Sequence, residues 1–274
     1  MYRTIRISRR LFVTTAAVFV LSLLLSFVSA SIRLPKGYTR LYPGLYVSAE
    51  EAEKQEDTPD TVQTKKAYLT FDDGPSGVTP RILDVLDELG VKATFFVIGR
   101  NSEADVETLR RIHEEGHTIG LHSYSHEYQK IYHSVEDYLA DFQALEQWVF
   151  EITGERAEIF RFPGGSNNST AKKSVMTAIA EEMTRRGYTY YDWNVIAHDD
   201  KKAAYSPEVL FQNVKASAKG KLDRDLILLF HDNATRKTTP DVLPQVVEYF
   251  RENGYEFDQI TSDTRPIQFQ KPKK

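Results

Sequence analysis

The feature that most constrains this 274-residue chain is a regular alternation of strand-like and helix-like segments over residues 66–257. The first strand is predicted at 67–71, and a helix follows with Thr79 at its N-cap, Pro80 in its first turn and Gly90 at its end. Further strands are predicted, with helices between them, at 93–98, 117–121, 158–162, 188–195, 226–230 and 255–257. Such alternation predicts a parallel α/β sheet, and about seven strands favour a distorted or incomplete (β/α) barrel with outer helices.

The N-terminus has a separate pattern. Four arginines, at positions 3, 6, 9 and 10, precede an uncharged stretch from Leu11 to Ala30. About twenty apolar residues can span a bilayer as a helix, and the ending Val28-Ser29-Ala30 also suits a signal peptidase. Positive charges stay inside, so the chain after this stretch is predicted to lie outside the cytoplasm.

Three regions are therefore predicted. Residues 1–30 are a signal peptide or a membrane anchor, and both alternatives stay open. Residues 31–65 have an acidic stretch with few large apolar residues and are interpreted as a linker. Residues 66–274 are the catalytic domain.

Composition excludes several classes of function. The chain has no cysteine, so a thiol nucleophile, a disulfide framework and a cysteine zinc site are excluded. The formal net charge of −4 gives no support to nucleic-acid binding. No protein partner is inferred.

Acids and histidines recur where the predicted strands end. Parallel α/β proteins place their sites at the carboxyl ends of strands, so these side chains are expected to meet. They are Asp72 and Asp73 after the first strand, His122 and His126 after the third, Arg161 at the fourth, His198, Asp199 and Asp200 after the fifth, and His231 and Asp232 after the sixth.

These residue types suit a metal-dependent hydrolase. His122 and His126 are four residues apart, a spacing that on a helical turn puts both rings on one side. Two histidines and a carboxylate bind zinc while leaving a position for water. Of two adjacent acids, one can bind the metal while the other acts as general base. Each motif alone also has an ordinary explanation as surface histidines, a solvated turn or a salt bridge.

Three motifs together resemble the polysaccharide deacetylase family, carbohydrate esterase family 4. They are Thr70-Phe71-Asp72-Asp73-Gly74-Pro75, His122-Ser123-Tyr124-Ser125-His126 and Leu228-Leu229-Phe230-His231-Asp232. They occur in the family's order with suitable gaps, and the resemblance runs from about Lys66 to Phe257.

The resemblance implies a role for each site residue. Asp72 resembles the general base, and Arg161 resembles the arginine that positions it. Asp199 stands where the family has the acid that tethers the catalytic histidine, which His231 resembles. The metal ligands would be Asp73, His122 and His126, the oxyanion donor the Gly164 N–H, and the acetyl-pocket residue Leu229. Zinc is the expected cofactor, and cobalt, nickel or manganese also suit these ligands.

Two departures concern the substrate cleft. Many members carry Arg-Pro-Pro-Tyr where this chain has Arg161-Phe162-Pro163-Gly164, and many carry Asp-Trp where it has Asp199-Asp200. A more open or more polar cleft is therefore expected.

The expected function is removal of N-acetyl groups from cell-wall polysaccharide outside the cytoplasm, namely from N-acetylglucosamine or N-acetylmuramic acid units of peptidoglycan. Chitooligosaccharide deacetylation and acetylxylan esterase activity are alternatives. Two other classes are weighed: a non-haem iron oxygenase, against which the α/β pattern argues, and a catalytically dead wall-binding module.

Overall fold

The computed structural model describes residues 64–201 and 205–271, so the predicted N-terminal signal or anchor and almost all of the predicted linker lie outside the described residues. The strands are β1 Lys65–Asp72, β2 Thr94–Ile98, β3 Thr118–Ser123, β4 Ile159–Phe160, β5 Thr189–Tyr190, β6 Val195–Ile196, β7 Leu226–His231 and β8 Tyr255–Asp258. The helices are α1 Thr79–Leu89, α2 Glu103–Glu114, α3 Tyr128–Ile131, α4 Val135–Thr153, α5 Lys173–Arg185, α6 Pro207–Ala218 and α7 Thr239–Glu252. Across this described part of the chain, no helix combines the length and apolarity that crossing a bilayer requires.

The strands form one parallel sheet in the order β5-β4-β3-β2-β1-β7-β6, and β8 pairs with the first residues of β1. β5 and β6 lie at opposite ends of this order, although only the segment 191–194 separates them along the chain. So short a segment cannot span an open sheet, so the sheet curls until its two ends approach each other. The predicted incomplete (β/α) barrel is thereby confirmed.

The prediction of one strand at 188–195 is wrong, because that segment changes neighbours midway. Its first part, β5, pairs with β4, and β6 pairs with β7. Between them the Asp192 N–H donates to the carbonyl of Ile267 at 2.8 Å, so the C-terminal segment takes the place of a neighbouring strand. Across the described residues the sheet order thus joins seven strands, in agreement with the prediction, and β8 pairs beside them with β1.

Serine side chains cap three of the helices. Ser102, Ser134 and Ser206 each accept a hydrogen bond from the backbone N–H three residues later. The prediction of Thr79 as an N-cap is wrong: Val78 is the N-cap of α1 and makes no side-chain capping bond. The Thr79 hydroxyl is instead buried and donates to Asp232 Oδ2 at 2.7 Å.

The core has two layers, one between the sheet and the helices and one inside the barrel. Along β1, Leu69 and Phe71 belong to the outer layer, whereas Tyr68 belongs to the inner cluster. Because side chains alternate along a strand, Asp72 projects toward the inside, as Tyr68 does. The inner cluster consists of Tyr68, Phe96, Ile159, Tyr191, Ile227 and Ile260.

The register of β1 and β7 fixes which side chains share the mouth of the barrel. Thr70 lies opposite Leu229, and Asp72 lies opposite His231. Residues directly opposite each other in neighbouring strands project to the same face. Leu229 and His231 therefore face the same interior as Asp72.

Candidate active site

Asp73, His122 and His126 bring one donor atom each into a single cluster at the carboxyl ends of β1 and β3, with all three atoms within 4.8 Å of one another. Asp73 Oδ1 lies 3.1 Å from His126 Nε2 and 3.7 Å from His122 Nε2. Tetrahedral zinc ligands about 2.1 Å from the ion stand roughly 3.4 Å apart, so these separations suit a shared metal ion. The predicted metal ligands are thus brought together.

The two histidines do not share a helical turn, as their spacing had suggested. His122 is in β3, and His126 lies in the turn after it, with φ 55°. Asp141 of α4 orders this turn by accepting hydrogen bonds from the Ser123 hydroxyl and from the N–H groups of Tyr124 and Ser125 at 2.6, 2.7 and 2.9 Å. A strand followed by a turn that is hydrogen-bonded to Asp141 therefore brings the two imidazole rings together, as a helical turn was expected to do.

The His122 ring is set for metal binding. Its Nδ1 lies 2.8 Å from the carbonyl oxygen of Arg161, which can only accept, so Nδ1 carries the proton and Nε2 presents a lone pair to the cluster. Burial lowers the pKa of His122, and the nearby Asp72 charge only partly opposes that effect. A neutral imidazole is the form that binds metals.

Asp73 has a backbone conformation that few non-glycine residues adopt. Its φ is 75°, in the left-handed region, and such backbone strain concentrates at functional sites. Burial raises the pKa of its carboxyl, but the hydrogen bond from His126 and the charges of His126 and His231 outweigh burial, so the pKa is lowered overall. Asp73 is therefore held as a carboxylate, the form a metal ligand needs.

Arg161 is fully buried and positions Asp72. Its guanidinium donates from Nη1 to Asp72 Oδ1 and to the Thr70 hydroxyl, both at 2.8 Å, and from Nε to the Tyr191 carbonyl at 2.8 Å. The guanidinium also lies 4.1 Å from the centre of the Phe96 ring. A buried charge needs such partners, so this arginine is fixed and in turn fixes one oxygen of Asp72.

The other oxygen of Asp72 faces the metal cluster. Asp72 Oδ2 lies 3.8 Å from His122 Nε2. The predicted base is therefore next to the predicted metal ligands and hydrogen-bonded to the predicted arginine.

His231 and Asp199 form a pair beside this cluster. His231 Nδ1 lies 2.8 Å from Asp199 Oδ1, and the His231 backbone N–H donates to Asp199 Oδ2 at 2.8 Å. Burial lowers the pKa of His231, but the hydrogen bond and charge of Asp199 outweigh burial and raise the pKa to about 9. His231 is thus protonated near neutral pH, with Nε2 left for the substrate.

Tyr128 lies beside Gly164, at the edge of the cleft that is expected to be more open. Gly164 has φ 76°, and a Cβ placed on it would stand 3.0 Å from Cε1 and 3.3 Å from the hydroxyl of Tyr128. Tyr128 thus fills the space that a side chain at position 164 would take. No group within 64–201 or 205–271 accepts a backbone hydrogen bond from the Gly164 N–H, which suits the predicted oxyanion donor.

Asp232 is structural, although it follows His231 directly. It is fully buried, it accepts hydrogen bonds from the hydroxyls of Thr79 and Ser76, and burial raises its pKa well above the usual value. Its backbone N–H donates to the Asp72 carbonyl at 2.7 Å. A Cβ on Gly74 would stand 2.3 Å from Asp232 Oδ2, so this close approach requires glycine there.

Sequence reasoning missed Asp141 and Tyr128. A signal for Asp141 was available, since an acid stands on the apolar stripe of α4 formed by Tyr138, Phe142 and Leu145. Tyr128 gave no such signal, because its place against Gly164 depends on two separate segments meeting. His113 and His133 lie outside the site, where they face Glu155 and Asp137.

Comparison with known proteins places this site in a family. A family profile described as polysaccharide deacetylase matches residues 60–182. YheN of Bacillus subtilis, a protein assigned to the polysaccharide deacetylases, is 31% identical over 212 residues, covering 77% of this chain and 72% of YheN. The chain belongs to the polysaccharide deacetylase family.

Two further members relate the family to peptidoglycan. A peptidoglycan-N-acetylglucosamine deacetylase of Bacillus cereus is 28% identical over 216 residues, covering 76% of this chain and 74% of that protein. The crystal structure of the catalytic domain of such a deacetylase from Eubacterium rectale superposes with a TM-score of 0.70 and 35% identity. That match covers 79% of this chain and 98% of the crystallised domain. As a polysaccharide deacetylase, the protein is a hydrolase.

Proposed function

We propose that this protein is a metal-dependent N-deacetylase that acts on N-acetylglucosamine units of peptidoglycan outside the cytoplasm. The observation that carries the proposal is the meeting of two acid–base groups around one ligand cluster: Asp72 fixed by Arg161 and His231 fixed by Asp199. The names of its relatives support the choice of sugar. The basic and apolar N-terminal pattern supports an exported or membrane-anchored location.

Asp73, His122 and His126 would hold the metal ion. When bound, such an ion polarises the acetamide carbonyl and lowers the pKa of water. Zinc suits two imidazoles and one carboxylate, and cobalt, nickel and manganese remain candidates.

The acid and the base divide the proton transfers. Asp72 keeps Oδ1 on the guanidinium of Arg161, which leaves Oδ2 to take the proton from the attacking water. The Gly164 N–H donates to the oxyanion that forms, as preorganised donors do in acyl transfer. His231 then donates its Nε2 proton to the leaving amine while Asp199 holds Nδ1–H. Leu229 lies two residues before His231 on the same face of β7 and borders the acetyl methyl group.

The test is acetate release by the full-length protein, purified in detergent, from peptidoglycan, chitooligosaccharides and acetylated xylan. Release from peptidoglycan that stops on chelation and returns with zinc is the expected result. A preference for either other polymer would replace the substrate and keep the reaction class.

Asp72→Asn is the matched control for chemistry. It should lose activity by a factor of about 10²–10⁴ while it binds as much zinc as the unaltered protein. If instead the unaltered protein, loaded with zinc, binds peptidoglycan but releases no acetate, the wall-binding alternative is favoured.

A further inference from the structure

Tyr128 and Gly164 fit together as a pair at the edge of the metal cluster. A Cβ at position 164 would stand 3.0 Å from Tyr128 Cε1, so a side chain there would require the tyrosine ring to shift by a few tenths of an ångström. Gly164 is three residues after Arg161, whereas Tyr128 is the first residue of α3. Two separate segments thus build one wall.

This ring is held in place from two sides. Tyr128 packs edge-on against the ring of His126, with centroids 5.2 Å apart and an interplanar angle of 90°. It also packs against Tyr132, whose hydroxyl donates to the Pro163 carbonyl at 2.8 Å. Tyr128 is only partly buried, so part of its side chain is accessible to solvent.

The position of Tyr128 suits contact with the substrate rather than a part in the proton transfers. Its hydroxyl is 3.3 Å from the Cβ position of Gly164, whose N–H is the oxyanion donor of the proposed mechanism. An acetamide carbonyl at that N–H brings its sugar ring next to Tyr128. Aromatic side chains with a polar tip suit such a surface, because the ring covers apolar C–H groups and the hydroxyl makes hydrogen bonds.

We propose that Tyr128 is a substrate-binding residue that contacts the sugar unit carrying the acetamide and donates a hydrogen bond to it. This inference rests on the proposed deacetylase function and adds the residue that recognises the sugar. The bound ligand is an N-acetylated saccharide, and the ester p-nitrophenyl acetate, which has no sugar, does not depend on the contact.

The experiment compares Tyr128→Phe and Tyr128→Ala with the unaltered full-length protein. Loss of one neutral hydrogen bond corresponds to about a fivefold rise in KM. For chitooligosaccharide, Tyr128→Phe should show that rise with kcat within about twofold. Tyr128→Ala should show a larger rise in KM. Hydrolysis of p-nitrophenyl acetate and zinc content should stay unchanged in Tyr128→Phe.

Tyr124→Phe is the matched control, because Tyr124 lies four residues before Tyr128 but its hydroxyl faces Asn101 at 3.3 Å. It should leave KM unchanged for both substrates. If Tyr128→Phe lowers zinc content, or lowers kcat for both substrates, Tyr128 supports His126 and the inference is wrong. An unchanged KM for chitooligosaccharide in Tyr128→Phe also overturns it. Failure of the unaltered protein to deacetylate any saccharide while it still cleaves the ester would instead overturn the proposed function.

Discussion

Two histidines at opposite ends of the barrel strands, one buried and one partly buried, show what distinguishes the site from the rest of the fold. His231 is the last residue of β7, and His117 immediately precedes β3. Burial lowers the pKa of both rings. At His231 the hydrogen bond and charge of Asp199 reverse the effect and raise the pKa to about 9. At His117, burial and the positive charges of Lys92 and Arg111 lower the pKa to about 4, because together they outweigh the negative charge of Asp87, which raises it.

The contacts of the two rings explain the difference. His117 Nδ1 accepts a hydrogen bond from the Ala93 N–H at 3.1 Å, which requires that nitrogen to be unprotonated. Glu115 Oε2 is 3.8 Å from His117 Nε2, too far for a hydrogen bond. His231 instead donates to a carboxylate. A buried histidine therefore becomes an acid only where the fold supplies an anionic acceptor.

Cavity size does not make this distinction. A cavity of about 490 Å³ lies beside His117 at the amino ends of β3 and β4. Neither the metal cluster nor Arg161 nor His231 lines it. The convergence of acids and histidines, rather than concavity, locates the chemistry.

The largest expected effect is a difference in kcat between variants of the two histidines. Asparagine can replace Nδ1 in either place, as a donor to Asp199 or as an acceptor from Ala93. His231→Asn should lower kcat for acetate release by about 10²–10⁴, the usual contribution of a general acid. His117→Asn should change kcat by less than about twofold. Kinetics on chitooligosaccharide with equal zinc loading check this.

Zinc content separates acid chemistry from metal binding in that experiment. His231→Asn should bind as much zinc as the unaltered protein, because His231 is not one of the three clustered ligands. Equal losses of activity in the two variants would mean that neither histidine has a special role.

A smaller effect is expected from changing the partner of His231. Asp199→Asn removes the hydrogen bond and charge that raise the pKa of His231, so that pKa should fall. The alkaline limb of kcat/KM, placed near pH 9 by His231, should move to lower pH. A pH profile of acetate release measures the shift.

The sign of the linked stability follows from the same pKa. The folded-state pKa of His231 is above its ordinary value of 6.5, so its protonation stabilises the fold fully below that pH. The contribution is lost as pH rises through about 9.

Asp232→Asn is the matched control for Asp199→Asn. It changes the neighbouring carboxyl and should leave the alkaline limb of kcat/KM in place. A limb that moves equally in both variants would contradict the assignment to Asp199.

The parts of this site that sequence could predict are those fixed by the direction of the strands. Asp73, His122 and His231 follow or end apolar segments, and parallel strands bring such ends together without any knowledge of side-chain contacts. The family motifs then separated Asp72 from Asp73 in role, which no local pattern does.

The parts that sequence could not predict depend on neighbours distant in the chain. Thr79 has the pattern of an N-cap, yet the buried carboxylate of Asp232, 153 residues later, takes its hydroxyl. The segment 188–195 reads as one strand, but the C-terminal segment satisfies the N–H of Asp192 and divides it. Local propensity contains no information on these tertiary partners. It therefore predicts that a helix or strand is present, but not which distant residues that element contacts.

The smallest effect concerns stability rather than activity. The folded-state pKa of His117 is about 4, below its ordinary value of 6.5, so the unfolded chain binds a proton more readily between these pH values. The unaltered protein should therefore lose up to about 3 kcal/mol of unfolding free energy as pH falls through this range. His117→Asn lacks the titrating ring, so urea unfolding at pH 7.5 and pH 4.5 should show a smaller acid loss for the variant. The same loss in both proteins would mean that the ring of His117 gains a counter-charge on protonation, with Glu115 the nearest carboxylate to supply it, and the contrast with His231 would disappear.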